Sequence, residues 1–167
     1  MKEKTLLIIM IAVTAVILFG GLILVSSTST FAPKIATSQN AKANVIDPTS
    51  FDWGQIPMKG GKVSKYFTVK NSGTDVLKLY NIKTSCHCTK AYVTIDGNES
   101  PYFGMSGISS WVGEVKPGNE AKITAVFDPA YHGPQGVGPI SRFVSVETND
   151  SSLSKLTFTL TGTVFKN

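Results

Sequence analysis

Hydrophobic and polar positions follow two regimes along this chain. Residues 6–25 read LLIIMIAVTAVILFGGLILV, an apolar run without a charge, in which Thr14 is the only clearly polar residue. From Val45 onward the period is two. Phe67 and Val69 share a face and alternate with Tyr66, Thr68 and Lys70, and Asn71-Ser72-Gly73 then supplies a turn. Ala121, Ile123, Ala125 and Phe127 form a second apolar face, closed by Asp128-Pro129. Leu156, Phe158, Leu160 and Val164 form a third, with threonines outside, and Ile140, Val144 and Val146 fit a fourth in which Arg142 is the exception. Leu77 and Leu79 share a face but Ile82 is out of phase, which predicts a bulge just before the cysteines. Alternation of β-branched and aromatic residues marks half-buried strands, and no segment here keeps a helical period.

About seven short strands over ~120 residues, separated by Gly, Pro, Asn and Asp, predict an all-β, immunoglobulin-like antiparallel β-sandwich. The Cys…Trp…Cys spacing of antibody domains is absent because the two cysteines stand two positions apart, so the core must hold by packing.

Twenty apolar residues make ~30 Å of helix, the thickness of a bilayer core. With Lys2 and Lys4 in front, the run predicts a single N-terminal transmembrane helix with its N-terminus cytoplasmic. The rival is a cleaved signal peptide, with a small-x-small site at Thr30-Phe31-Ala32; the length of the run and Pro33 after the site favour an uncleaved signal-anchor. The expected organisation is a cytoplasmic tip (1–5), an anchor (6–25), a flexible Ser/Thr/Ala/Asn-rich linker (26–44) and the sandwich (45–167), outside the cytoplasm at the cell membrane.

Net charge is +5, but from Val45 onward twelve Lys or Arg face ten Asp or Glu, so the sandwich is near +2 with its basic residues scattered. A nucleic-acid partner is not expected.

The chemistry concentrates in Thr84-Ser85-Cys86-His87-Cys88-Thr89, which holds both cysteines and one of the two histidines. Thiolates on one strand face would chelate a soft ion, copper or zinc, with Met105 and His132 from Gly-rich loops as companions; His87 would point away. A Cys86–Cys88 disulfide is the competing outcome: extended residues two apart are too distant to bridge, and a tight turn would be needed. Catalysis by a Cys–His pair has no supporting motif. Gly133-Pro134-Gln135-Gly136-Val137-Gly138-Pro139 lacks the Lys-Ser/Thr ending of a phosphate loop and reads as a hairpin connection. Arg142 is expected to pair with Glu147 or Asp128 as a conformational anchor.

Six motifs occur in order: Phe51-Asp52-Trp53-Gly54-Gln55-Ile56, Phe67-Thr68-Val69-Lys70-Asn71-Ser72-Gly73, Ser85-Cys86-His87-Cys88-Thr89, Val115-Lys116-Pro117-Gly118, Val126-Phe127-Asp128-Pro129 and Val146-Glu147-Thr148-Asn149-Asp150. Together, over about residues 49–165, they resemble the bacterial family called domain of unknown function 1573. The resemblance implies an immunoglobulin-like sandwich related to ASPM and hydin modules, on secreted or membrane-anchored proteins, and no established activity. The chain departs from the family pattern in a Gly/Ser-rich stretch from Asp96 to Ser110 and in His87, where glycine is common.

The expected function is a non-enzymatic module binding a protein partner or serving cell-envelope architecture, membrane-attached through its helix and without a cofactor. The alternative is an envelope metal-binding or thiol-redox protein using Cys86 and Cys88.

Overall fold

The computed structural model describes residues 2–26 and 33–166. One compact unit ends at Phe31 and a second begins at Ala32. In the first, helix α1 covers Lys2–Ser26. Its side chains are described over residues 3–17. Among the described residues no helix is long and apolar enough to cross a membrane. That finding overturns the single-pass, membrane-localised reading drawn from the apolar run. The Thr30-Phe31-Ala32 cleavage site lies outside the described residues.

The second unit is a sandwich of ten strands: β1 (Ala43–Val45), β2 (Ser50–Pro57), β3 (Val63–Asn71), β4 (Leu77–Thr84), β5 (Thr89–Ile95), β6 (Asn98–Glu99), β7 (Val112–Val115), β8 (Glu120–Phe127), β9 (Gly138–Thr148) and β10 (Lys155–Phe165). One sheet has the order β1-β3-β8-β5-β6 and the other β2-β10-β9-β4-β7. The alternating faces of β3, β8, β9 and β10 point inward as expected: Phe67, Val69, Ala121, Ile123, Ala125, Val144, Val146, Phe158 and Leu160 are fully buried. Phe67 and Phe158 stack across the two sheets with ring centroids 4.5 Å apart.

Two features correct the expected architecture. β2 runs parallel to β10, so the sandwich is not wholly antiparallel. The extra residue sits on β2, where Asp52 pairs with Thr161 but Gln55 pairs with Thr163; Gly54 takes φ +67°, a conformation glycine adopts without steric cost. The expected linker also ends before Asn44. Ser38 forms a parallel bridge with Asp150, Ala41 is fully buried and β1 pairs with β3.

The motifs outside the cysteine stretch hold this arrangement through buried polar side chains. Asn71 Nδ2 donates to the Asp75 and Val115 carbonyls at 2.8 Å each. Asn149 Oδ1 accepts from Lys78 N at 2.8 Å and its Nδ2 donates to Val76 O at 3.1 Å. Unpaired, such groups would cost on the order of 1–3 kcal/mol each; paired, they fix where loops meet strands. The expected bulge in β4 is present: its register against β9 shifts between Tyr80 and Lys83, and Asn81 adopts φ +46°.

Candidate redox site at the sheet crossover

β4 belongs to one sheet and β5 to the other, and the four residues Ser85–Cys88 carry the chain between them. The crossover from β8 to β9, which carries His132, starts beside it. The turn is held from several directions. Thr84 Oγ1 lies 2.9 Å from Thr89 O and 3.1 Å from Cys86 O, one hydroxyl proton shared between two carbonyls. Thr89 N donates to Cys86 O at 3.1 Å. Ser85 exchanges two hydrogen bonds with the Phe143 backbone on β9: Ser85 N to Phe143 O at 3.0 Å, and Phe143 N to Ser85 Oγ at 2.9 Å. Asp128 N donates to Cys88 O at 2.9 Å, tying the turn to the end of β8.

This turn brings the Cys86 and Cys88 Cα atoms to 5.2 Å, and the two sulfurs form a disulfide. Of the two outcomes left open by the sequence, the disulfide is the one present. The hydroxyl of Thr84 and the contacts with Phe143 bend the chain where strand geometry would have kept the thiols apart.

The two sulfurs occupy different surroundings. Cys86 is partly exposed, and its Sγ lies 3.4 Å from His132 Nε2. Cys88 is 2% exposed, and its Sγ accepts from Arg142 Nε at 3.1 Å. Behind Cys88 a small core forms from Ile56, Met58, Phe127, Ile140 and Val164. Phe127 stacks on Trp53 at 5.8 Å, and the Arg142 guanidinium lies 5.7 Å from the Phe127 ring centroid. Arg142 thus pairs with neither Glu147 nor Asp128. Glu147 Oε1 instead accepts from Asn81 Nδ2 at 2.6 Å, and Asp128 Oδ1 accepts from Ala130 N at 3.0 Å. Desolvation pushes the Arg142 pKa below its ordinary value, so an anion arising at Cys88 would relieve a cation already short of solvent.

Among the candidate ligands, the sulfurs of Cys86 and Cys88 and a ring nitrogen of His132 lie within 4.8 Å of one another. Met105 is 41% exposed in the stretch after Phe103. His87 is exposed at the tip of the turn. It lines an open cleft of about 350 Å³ with Cys88, Tyr102, Asp128 and Tyr131, and Lys62 and Lys90 supply positive charge there. The sequence singled out Arg142 but paired it with a carboxylate, whereas its partner is the Cys88 sulfur. Its one signal was a charge on an otherwise apolar strand face.

Two sheets of these orders, with inter-sheet crossovers at one end, define an immunoglobulin-like β-sandwich. Within it, residues 45–99 match the family described as protein of unknown function (DUF1573), and the resemblance read from the motifs holds there. No curated protein matches the sequence. Among solved structures, the chain is similar to a protein of unknown function from Porphyromonas gingivalis, with 19% identity, TM-score 0.56, and coverage of 78% of this chain and 50% of that one. The sequence thus spans half the length of that protein. It is also similar to an ASH/PapD-like domain of human CEP192, with 18% identity, TM-score 0.47, and coverage of 84% and 96%. A third likeness is to the periplasmic chaperone SfaE, with 10% identity, TM-score 0.40, and coverage of 74% and 58%. At these identities the likeness is one of fold alone.

Proposed function

We propose that the sandwich is a protein-binding module whose Cys86–Cys88 bond undergoes thiol–disulfide exchange with a cysteine-bearing partner. A binding role agrees with the immunoglobulin-like fold. The observation that carries the exchange reading is the asymmetric flanking of one disulfide, with His132 on the accessible sulfur and Arg142 on the buried one.

The chemistry follows from that asymmetry. A partner thiolate attacks Cys86 Sγ, the sulfur solvent reaches. The Cys86–Cys88 bond breaks and its electron pair leaves on Cys88 Sγ, as a thiolate beside the Arg142 guanidinium. Lower leaving-group basicity speeds exchange, and a neighbouring cation lowers thiol pKa. Cys86 is then held in a mixed disulfide. A second partner thiol, giving its proton to His132 Nε2, attacks the partner's own sulfur and expels Cys86 as thiolate. Cys86 takes the proton held on His132, and Cys88 takes from solvent the proton that the first partner thiol released on ionising. The partner dithiol is oxidised to a disulfide and the module is reduced by two electrons. The open cleft at Tyr102 and Tyr131 offers aromatic surface to the peptide flanking the attacking cysteine.

Equilibrating the full chain in glutathione redox buffers, followed by mass spectrometry of alkylated thiols, tests the reading. A measurable reduced fraction is expected. In single variants, Cys86 of Cys88→Ser should react with an aromatic disulfide reagent at least ~10-fold faster than Cys88 of Cys86→Ser, given its exposure. Equal rates, or a bond that glutathione leaves intact, overturn it.

A further inference from the structure

We propose that reduction converts the same crossover into a copper(I) site formed by Cys86 Sγ, Cys88 Sγ and His132 Nε2. The inference rests on the bond being reducible, but not on a protein partner being the reductant. Any thiol or phosphine that delivers two electrons to the bond yields the two thiols, and copper(I) displaces their protons.

Three observations select this ion. First, the ligand atoms already lie within 4.8 Å of one another, although they come from loops 46 residues apart. Ligands bound at ~2.0–2.3 Å around a trigonal centre stand roughly 3.5–4 Å from each other. Once the bond opens, non-bonded repulsion separates the sulfurs to about that spacing without moving the backbone of the turn.

Second, three donors from Cys and His converge among the described residues, with no carboxylate in the group, where structural zinc takes four ligands. Two thiolates and an imidazole are a soft set suited to low-coordinate copper(I).

Third, charge discriminates between the ions. Two thiolates, one monovalent ion and the Arg142 guanidinium sum to zero. A divalent ion would leave a net positive charge in a site where Cys88 is 2% exposed and Arg142 already sits 3.1 Å from its sulfur. Arg142 would remain a positioning residue, donating to the Cys88 sulfur without binding the ion.

The site is tested with the full chain reduced by a phosphine, its two thiols counted, and copper(I) titrated anaerobically against a chromophoric copper(I) chelator. One equivalent is expected to bind, with sulfur-to-copper charge transfer in the ultraviolet and an X-ray absorption spectrum fitted by two sulfurs and one nitrogen. Cys86→Ser should weaken binding at least ~100-fold and His132→Ala at least ~10-fold, by the loss of a ligand. Met105→Leu should leave affinity unchanged, and the disulfide form should bind no copper. Zinc should bind the reduced chain more weakly than copper(I). Binding by a Cys86→Ser, Cys88→Ser variant as tight as that of the reduced wild type overturns the site, as does tighter binding of zinc. Because the phosphine guarantees reduction, failure here is separate from failure of exchange with glutathione.

Discussion

Arg142 Nε donates to Cys88 Sγ at 3.1 Å across 54 positions of sequence, and the same guanidinium rests on the Phe127 ring. This places a fixed cation on the more buried of the two sulfurs. A hydrogen bond to a charged group contributes on the order of 1.5–3 kcal/mol. Arg142→Met keeps much of the stem over Phe127 and removes the charge. It is expected to shift the glutathione equilibrium at least ~10-fold toward the disulfide, since 1.4 kcal/mol is about a factor of ten. Arg142→Lys should restore part of that shift. An unchanged equilibrium in Arg142→Met would show that the guanidinium only packs.

Acid stability should turn on Asp150. Its carboxylate is 2% exposed, and desolvation pushes its pKa up. Hydrogen bonds from Ala43 N, Ser152 Oγ and Ser152 N, with Lys42 Nζ at 3.5 Å, outweigh that and hold it at about 2. A depressed carboxylate stabilises the fold above its unfolded pKa, and this contribution is lost as pH falls through the folded value. The drop from 3.8 to about 2 corresponds to roughly 2 kcal/mol. Asp150→Asn should lower the melting temperature at neutral pH and flatten the loss of stability between the two pKa values. An Asp150→Asn curve parallel to wild type over that interval would refute the assignment.

Gly73 is where segment 38–42 docks. A Cβ there would overlap Asn40 O and crowd Lys42 N. Both atoms are backbone, so neither yields by rotating a side chain. Gly73→Ala is expected to lift this segment off the sandwich and to destabilise by about 1–3 kcal/mol, the usual range for overpacking. Lys42, held by Asp150 and Ser152 in the wild type, should then become a rapid tryptic site. Cleavage there at the wild-type rate would contradict the docking.

These outcomes also show what the sequence could reveal. Strands β3, β8, β9 and β10 were legible because their burial alternates with period two, and Ile82 out of phase gave away the bulge at Asn81. The parallel pairing of β2 with β10 left no local trace, since register against a strand a hundred residues away is a tertiary property. The cysteine turn was left open between two outcomes for a similar reason. Ser85 is held by Phe143, 58 positions distant, and nothing within Thr84–Thr89 announces that contact. His132 was found by residue type. Arg142 was noticed as an anomaly and given the wrong partner, because Glu147 is already engaged by Asn81.

The last expectation concerns how little the disulfide holds the fold together. A bridge between residues two apart closes a loop of three, for which the chain-entropy rule gives about 1.6 kcal/mol, against ~3 for a loop of fifteen. The core is a different matter. Phe158 is fully buried and stacks on Phe67, and truncating such a residue costs about 3–5 kcal/mol. Cys86→Ser, Cys88→Ser should therefore remain folded, with a melting temperature lowered by roughly 5 °C, while Phe158→Ala falls at least twice as far. Calorimetry on both variants decides it. A double variant as unstable as Phe158→Ala would make the bond a structural staple, and a bond the fold depends on could not be opened by a partner without unfolding the domain. A small loss would leave the bond free to react, with His132 and Arg142 placed for its chemistry.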